Sequence, residues 1–349
     1  MKTPKTFRLL ALSLLPLAGL RAAETAATLT LHADQPGPVI SPYLYGQFTE
    51  HLGHCIYGGI WVEPGSSIPN TRGIRNDVVA ALRAIHVPVV RWPGGCFAEE
   101  YHWRNGIGPL DRRPAMINNN WGGVTENNHF GTHEFLDFCE QVGCEPYICG
   151  NLGSGTVKEL SDWIEYMTSD ADAPLPNERR ANGRDKPWRI RFFAFGNESW
   201  GCGGNMRPEY YSDVYRRYAN YAHDFSGNKL YRIAVGPTDD DYHWTETLTN
   251  DIRAIYTKTE PGMDALALHH YTIPIGHWAD TGKGSATKFG EDQWHGALRS
   301  AELLDEEITK HLAIMDRSFP KKNLSLVVDE WGIWTDAEPG TNPAYKTLS

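Results

Sequence analysis

From Ser41 onward the chain alternates short apolar runs with longer segments striped at helical spacing. The apolar runs predict strands at Tyr43–Gln47, Val87–Arg91, Glu145–Cys149, Ile190–Phe195, Tyr231–Gly236, Ala265–His270 and Leu324–Glu330. Between them lie helical patterns. Arg75–Ile85 is one. Phe135, Phe138 and Val142 mark a second, and Val157, Leu160, Ile164 and Met167 a third. Tyr211, Val214, Tyr215, Tyr218, Ala222 and Phe225 stripe a fourth. A weaker pattern covers Thr245–Thr257, and Leu304, Ile308, Leu312 and Met315 stripe a long helix. Upstream, Thr and Leu alternate over Ala27–Ala33, which predicts a half-buried strand. Pro93–Gly131 is rich in Gly, Asn and Trp and predicts a long loop, while polar, Pro-containing Ala171–Lys186 predicts a surface loop.

Seven strand–helix steps imply a parallel sheet with crossover helices. An open doubly wound sheet and a barrel both satisfy that. The first strand is followed by no G-x-G-x-x-G and the chain has no P-loop, so nucleotide-binding readings lose support. Polar and aromatic residues instead gather just after successive strands, where a barrel carries its site. The expected fold is therefore α/β, a (β/α)8 TIM-type barrel. About twenty residues follow the seventh strand, so the eighth step is expected to be missing or incomplete.

The first residues carry Lys2, Lys5 and Arg8, then an apolar run from Leu9 to Leu20, then Ala22 and Ala23. This predicts a signal peptide over 1–23 and a secreted or periplasmic protein, with no membrane association after cleavage. Residues 24–40 form an N-terminal strand segment and 41–349 the catalytic barrel. A net charge of −10 argues against a nucleic-acid partner. It fits a neutral ligand, and 12 Trp and 16 Tyr offer flat faces suited to sugar rings. Six cysteines stand at 55, 96, 139, 144, 149 and 202 without a C-x-x-C pair, so a zinc site is not indicated. Nothing in the residues calls for a cofactor, and a homo-oligomer is open.

Two segments carry candidate chemistry. FFAFGNESW (Phe192–Trp200) and LSLVVDEW (Leu324–Trp331) each run from an apolar strand into a glutamate, Glu198 and Glu330. A carboxylate at a buried strand end is unfavourable unless paired or used. Two of them across a barrel mouth suit a retaining glycosidase, which needs its carboxyl groups about 5–5.5 Å apart. Glu198 is then the acid/base and Glu330 the nucleophile; paired salt bridges are the competing reading. Asn197 lies in a formal glycosylation sequon, N-E-S, but its place beside a buried strand favours a hydrogen bond to a substrate hydroxyl. A second sequon begins at Asn323.

The chain resembles family 51 glycoside hydrolases, the α-L-arabinofuranosidases. The resemblance rests on GQFTEHLGHCIYGGIW (Gly46–Trp61), VVRWPGGCFAEEYHWRNGIGP (Val89–Pro109), FGNESWGCGG (Phe195–Gly204), ALHHYT (Ala267–Thr272) and VDEWGIW (Val328–Trp334). It implies an acid/base at Glu198, a nucleophile at Glu330, and sugar contacts from Glu50, Cys96, Asn197, His269 and Tyr271. For Cys96 a disulfide is the alternative. His269 and His270 are adjacent on a strand and so point to opposite faces, which argues against a metal and for one site-facing imidazole. Trp103 offers a stacking face for sugar, with core packing as the competing reading. Asn105 stands where the family commonly has Asp. Family members also continue into a closed barrel and a β-sandwich that the N-terminal strand joins, and a late glutamine contacts substrate; that part is absent here.

The expected activity is release of terminal α-L-arabinofuranosyl groups from arabinoxylan, arabinan or arabino-oligosaccharides by double displacement. An endo-β-glucanase or xylanase with the same carboxylate pair is the alternative, as is an inactive fragment or a sugar-binding protein.

Overall fold

The computed structural model describes residues 28–255, 262–275, 282–322 and 324–338. The expected signal peptide at 1–23 and the sequon at Asn323 lie outside them. The described residues up to Ser41 belong to a unit of their own. Its described part holds a turn in which the Gln35 N–H donates to the His32 carbonyl. The strand expected at Ala27–Ala33 is not formed among its described residues. Alternating Thr and Leu supply the pattern, but a strand needs a neighbour to receive its backbone hydrogen bonds.

The second unit is a nearly closed parallel barrel of seven strands: β1 (Gln47–Phe48), β2 (Val89–Trp92), β3 (Glu145–Gly150), β4 (Phe192–Phe195), β5 (Tyr231–Ala234), β6 (Ala265–Thr272) and β7 (Ser325–Ile333). They are hydrogen-bonded in chain order, every pair parallel. The helices are α1 (Asn76–Ala84), α2 (Thr132–Val142), α3 (Val157–Thr168), α4 (Pro174–Ala181), α5 (Pro208–Tyr221), α6 (Tyr242–Ile255) and α7 (Glu291–Ser318). The alternation of strand side chains divides the core. On β4, Phe192 and Ala194 join Tyr147, Cys149, Ile233, Ala265 and Ala267 inside the barrel. Phe193 and Phe195 face outward and pack with Trp163 and Tyr215 of the helical layer.

Local signals fix the helix ends. The Thr156 hydroxyl accepts the Glu159 N–H at the start of α3. Gly143, at φ 83°, takes the left-handed position that closes α2.

Three expectations change. Tyr43–Gln47 is mostly a 3-10 turn, Pro42–Tyr45, and the first strand shrinks to Gln47–Phe48. Ala171–Lys186 contains α4, whose Pro174 sits in the first turn, where a missing N–H does no harm. The long loop after β2 is folded as three 3-10 turns and a hairpin, Met116–Asn118 with Val124–Glu126. The remaining expected elements form within a few residues of their predicted bounds.

Candidate active site

The polar side chains converge at the C-terminal ends of the strands. Glu330 lies near the end of β7 and Glu198 three residues beyond β4. The turn that carries Glu198 has positive φ at Gly196 (99°) and at Glu198 itself (42°). Glycine takes that conformation freely, whereas a glutamate there is held by its surroundings. A carboxylate oxygen of Glu198 and one of Glu330 lie within 4.8 Å of each other. The two strand-end glutamates therefore share one cleft.

Arg91 of β2 ties Glu330 to Asn197, the neighbour of Glu198. It is 2 % exposed. Its Nη1 donates to Glu330 Oε1 (2.8 Å), its Nη2 to Asn197 Oδ1 (2.6 Å), and its Nε lies 3.4 Å from Asp329 Oδ2. His269 of β6 bridges from the side. Its Nδ1 is 2.9 Å from Glu198 Oε1 and 3.4 Å from Glu330 Oε2, and its Nε2 is 3.3 Å from Asp329 Oδ1. Burial works against charge on that imidazole, but Glu330, Asp329 and Glu198 outweigh it and raise its pKa well above the ordinary histidine value. Asp329 also accepts the Tyr147 hydroxyl at 2.6 Å. Burial would raise its pKa, yet Arg91 and His269 hold it below the usual carboxylate value. Tyr271 donates its hydroxyl to Glu330 Oε2 at 3.1 Å.

Glu198 stays protonated to higher pH than a free glutamate. Burial is the main cause and the Glu330 charge adds to it, against the opposing pull of His269 and Arg91. Two basic side chains, Arg91 and His269, thus face the three carboxyl groups of Glu198, Asp329 and Glu330 in this buried cluster.

Glu50, two residues past β1, enters from the other edge of the barrel. Its Oε1 accepts the Phe97 N–H (2.9 Å) and the Trp121 indole N–H (2.7 Å). Burial and the nearby Glu330 push its carboxyl up to about 7. The two glycines after Pro93 make room. A Cβ on Gly94 would meet the Glu50 side chain at 2.2 Å, and one on Gly95 would meet Glu330 Oε1 at 2.6 Å.

The expected site residues do not all behave alike. Glu50, Asn197, Glu198, His269, Tyr271 and Glu330 come together. His269 and His270 do face opposite ways. His270 pairs with Glu307 (2.8 Å) and Asp239 (3.3 Å), which raise its pKa to about 9. Glu198–His269–Glu330 and Asp239–His270–Glu307 are each spaced closely enough to hold a cation. In both, the imidazole lies within hydrogen-bonding or ion-pair distance of its carboxylates, which raise its pKa.

Cys96 takes the alternative reading. It forms a disulfide with Cys202, although both sulfurs still border the site, 3.7 and 3.4 Å from Glu198 Oε2. Trp103 is a correction. It is 1 % exposed, stacks on Trp163, and gives its indole N–H to the Glu159 carbonyl, so no face remains for a sugar. The sequon at Asn197 is sealed, since that residue is 1 % exposed.

Arg91, Glu99, Trp121, Tyr147 and Asp329 were not picked out from the sequence. A signal existed for two of them. Arg91 and Asp329 interrupt apolar strands, VVRW and LVVDE, just as Glu330 does.

Comparison with known proteins agrees with this arrangement. The α-L-arabinofuranosidase 1 domain model matches residues 81–274. An intracellular exo-α-L-arabinofuranosidase of Bacteroides ovatus is 53% identical over 320 residues, 92% of this chain and 60% of that protein. α-L-Arabinofuranosidase C of Emericella nidulans is 35% identical over 334 residues, covering 93% of this chain and 64% of its own length. The crystal structure of the family 51 arabinofuranosidase from Xanthomonas axonopodis pv. citri superposes with a TM-score of 0.84 at 53% identity, covering 90% of this chain and 62% of that one. The chain thus spans about 60% of the length of the relatives it matches. The Bacteroides relative is named intracellular, and this overturns the expectation of a secreted or periplasmic protein. By the match of the domain model over more than half its length and by its barrel, the chain belongs to the α-L-arabinofuranosidase family of glycoside hydrolase family 51.

Proposed function

We propose that the chain releases terminal α-L-arabinofuranosyl groups from hemicellulose or oligosaccharides with retention, Glu198 serving as acid/base and Glu330 as nucleophile. The spacing of those two carboxylates carries the reading. Oxygens within 4.8 Å fit the close pair of a retaining enzyme, about 5–5.5 Å, and fall short of the roughly 6.5–9.5 Å that an inverting enzyme keeps for its attacking water, which suits direct attack by Glu330 on the anomeric carbon. Exo action is supported by the name of the Bacteroides relative.

The electrostatics suit each step. Glu198, kept protonated by burial and by the Glu330 charge, gives its proton to the glycosidic oxygen as the C–O bond breaks. Glu330 forms the ester while the leaving alcohol departs. Esterification removes the Glu330 charge, and with it one influence that holds the proton on Glu198. Glu198 then ionises more readily and takes a proton from the water that cleaves the ester. Arg91 and Tyr271 orient Glu330 through its two oxygens. Glu50 and His269 border the cleft and are the proposed grips on sugar hydroxyls, whereas the Asn197 side chain is 1 % exposed and its oxygen is taken by Arg91.

The test is hydrolysis of 4-nitrophenyl α-L-arabinofuranoside. Glu330→Ala is expected to abolish turnover in a folded protein. Glu198→Ala is expected to lose about 10²–10⁴-fold on substrates with poor leaving groups and far less on the nitrophenyl substrate. Wild-type rates in both variants would reject the assignment, and an inactive parent chain would support a reading without catalysis.

A further inference from the structure

We infer that Glu99 is a positioning residue for the acid/base, setting the strained turn on which Glu198 sits; this rests on Glu198 having that role. Glu99 ends the short 3-10 turn Cys96–Glu99 after β2 and is 2 % exposed. No substrate reaches it. Its carboxylate is spent on backbone amides of two other loops. Oε1 accepts the Asn197 N–H at 2.5 Å, from the residue immediately before Glu198. Oε2 accepts the N–H groups of Leu152 (2.7 Å) and Gly153 (2.6 Å), in the loop after β3. The Glu99 carbonyl adds bonds from the Ser154 N–H and hydroxyl.

The Glu198 turn is built around this carboxylate. A Cβ on Gly196 would come within 2.9 Å of Glu99 Oε1. Gly203, on the far side of the same turn, packs so closely that a Cβ would meet the Asn197 carbonyl at 2.0 Å. Cys96, three residues before Glu99, is bonded to Cys202. One four-residue turn therefore grips the Asn197–Cys202 segment at both ends, covalently at Cys202 and by the hydrogen bond from the Asn197 N–H, which is charge-assisted once Glu99, whose carboxyl burial raises to about 7, is ionised. Such a bond is shorter and stronger than a neutral one. It also acts on Asn197, which stands between the two residues of positive φ, Gly196 and Glu198, and a glutamate in that conformation has to be held from outside.

Glu99→Gln isolates the effect. A glutamine has one acceptor oxygen and one NH2 group for three N–H donors. Turning the oxygen to Leu152 and Gly153 keeps two bonds, and the NH2 group then opposes the Asn197 N–H. The fold keeps its larger share and the Glu198 turn loses its anchor.

The experiment compares kcat/KM on 4-nitrophenyl and methyl α-L-arabinofuranosides for the parent chain, Glu99→Gln and Glu198→Ala. Only the methyl substrate needs full protonation of its leaving group. Glu99→Gln is expected to lose at least about ten times more on the methyl substrate than on the nitrophenyl one, with part of its nitrophenyl turnover recovered by added azide, as for Glu198→Ala. An equal loss on both substrates, without azide rescue, overturns the inference while Glu198→Ala keeps its selective defect. If Glu198→Ala itself shows no leaving-group dependence, it is the acid/base assignment that fails. Should Glu99→Gln not fold, Glu99→Asp is measured in the same way: it keeps the charge but withdraws it from Asn197, and the same selective loss is expected.

Discussion

Buried charges must be balanced where they lie, and at the residue scale this explains why Arg91 and His269 stand between three carboxylates. The guanidinium touches Glu330 and Asn197 directly and lies beside Asp329, so one side chain serves β4, β7 and its own strand. The same balance makes Glu198 sensitive to Glu330. Because the Glu330 charge raises the Glu198 pKa, Glu330→Gln is expected to lower it. The measurement is a titration of Glu198 by carboxyl-detected NMR in both proteins. An unchanged or higher value in the variant would show that burial alone sets the proton affinity. The wild-type rate should fall on the alkaline side as pH rises through the raised Glu198 pKa, since the acid form is then lost.

At the scale of elements, the strands and their helices were legible because burial on both faces writes itself as apolar runs, and one-sided helices as stripes. Glu198 and Glu330 were legible for the same reason, as charges placed where apolar runs stop. What the pattern concealed was structure without a sizeable apolar face. The hairpin after β2 has strands of three residues, too short for a period to show. It nevertheless shapes the site, because Trp121 at its turn bonds Glu50. Helix α4 sends only Leu175 and Pro176 toward the core and is held chiefly by Arg179 instead of by an apolar stripe. That side chain, fully buried, donates to the carbonyls of Tyr166, Ser169, Arg184 and Asp185. Arg179→Met strips those carbonyls of their donors and is expected to destabilise the protein by about 2–4 kcal/mol in urea unfolding. Turnover at 25 °C should not change, since α4 contributes nothing to the cleft. A loss under about 0.5 kcal/mol would mean that the helix is held by other contacts.

For the molecule as a whole, the site sets two like charges at the two ends of the strand order. Glu50 follows β1, Glu330 lies in β7, and only the Cβ-free Gly95 separates them. Stability and function oppose each other there. The Glu50 carboxyl has a folded-state pKa of about 7 against an ordinary 4.5, so the folded protein binds that proton more tightly than the unfolded chain does. The stabilisation is complete below pH 4.5 and is lost as pH rises through 7. Glu50→Gln retains an acceptor for Phe97 and Trp121 and removes the charge. Its melting temperature should match the parent at pH 4.5 and exceed it at pH 8, by the equivalent of about 1–3 kcal/mol. Arabinofuranoside hydrolysis should fall over the same range if the carboxylate grips a ring hydroxyl. Melting curves of both proteins at the two pH values decide the matter: a difference that does not grow with pH would mean that neither burial nor the Glu330 charge raises the Glu50 carboxyl in the fold, and that an ionised Glu50 at the barrel mouth does not oppose stability.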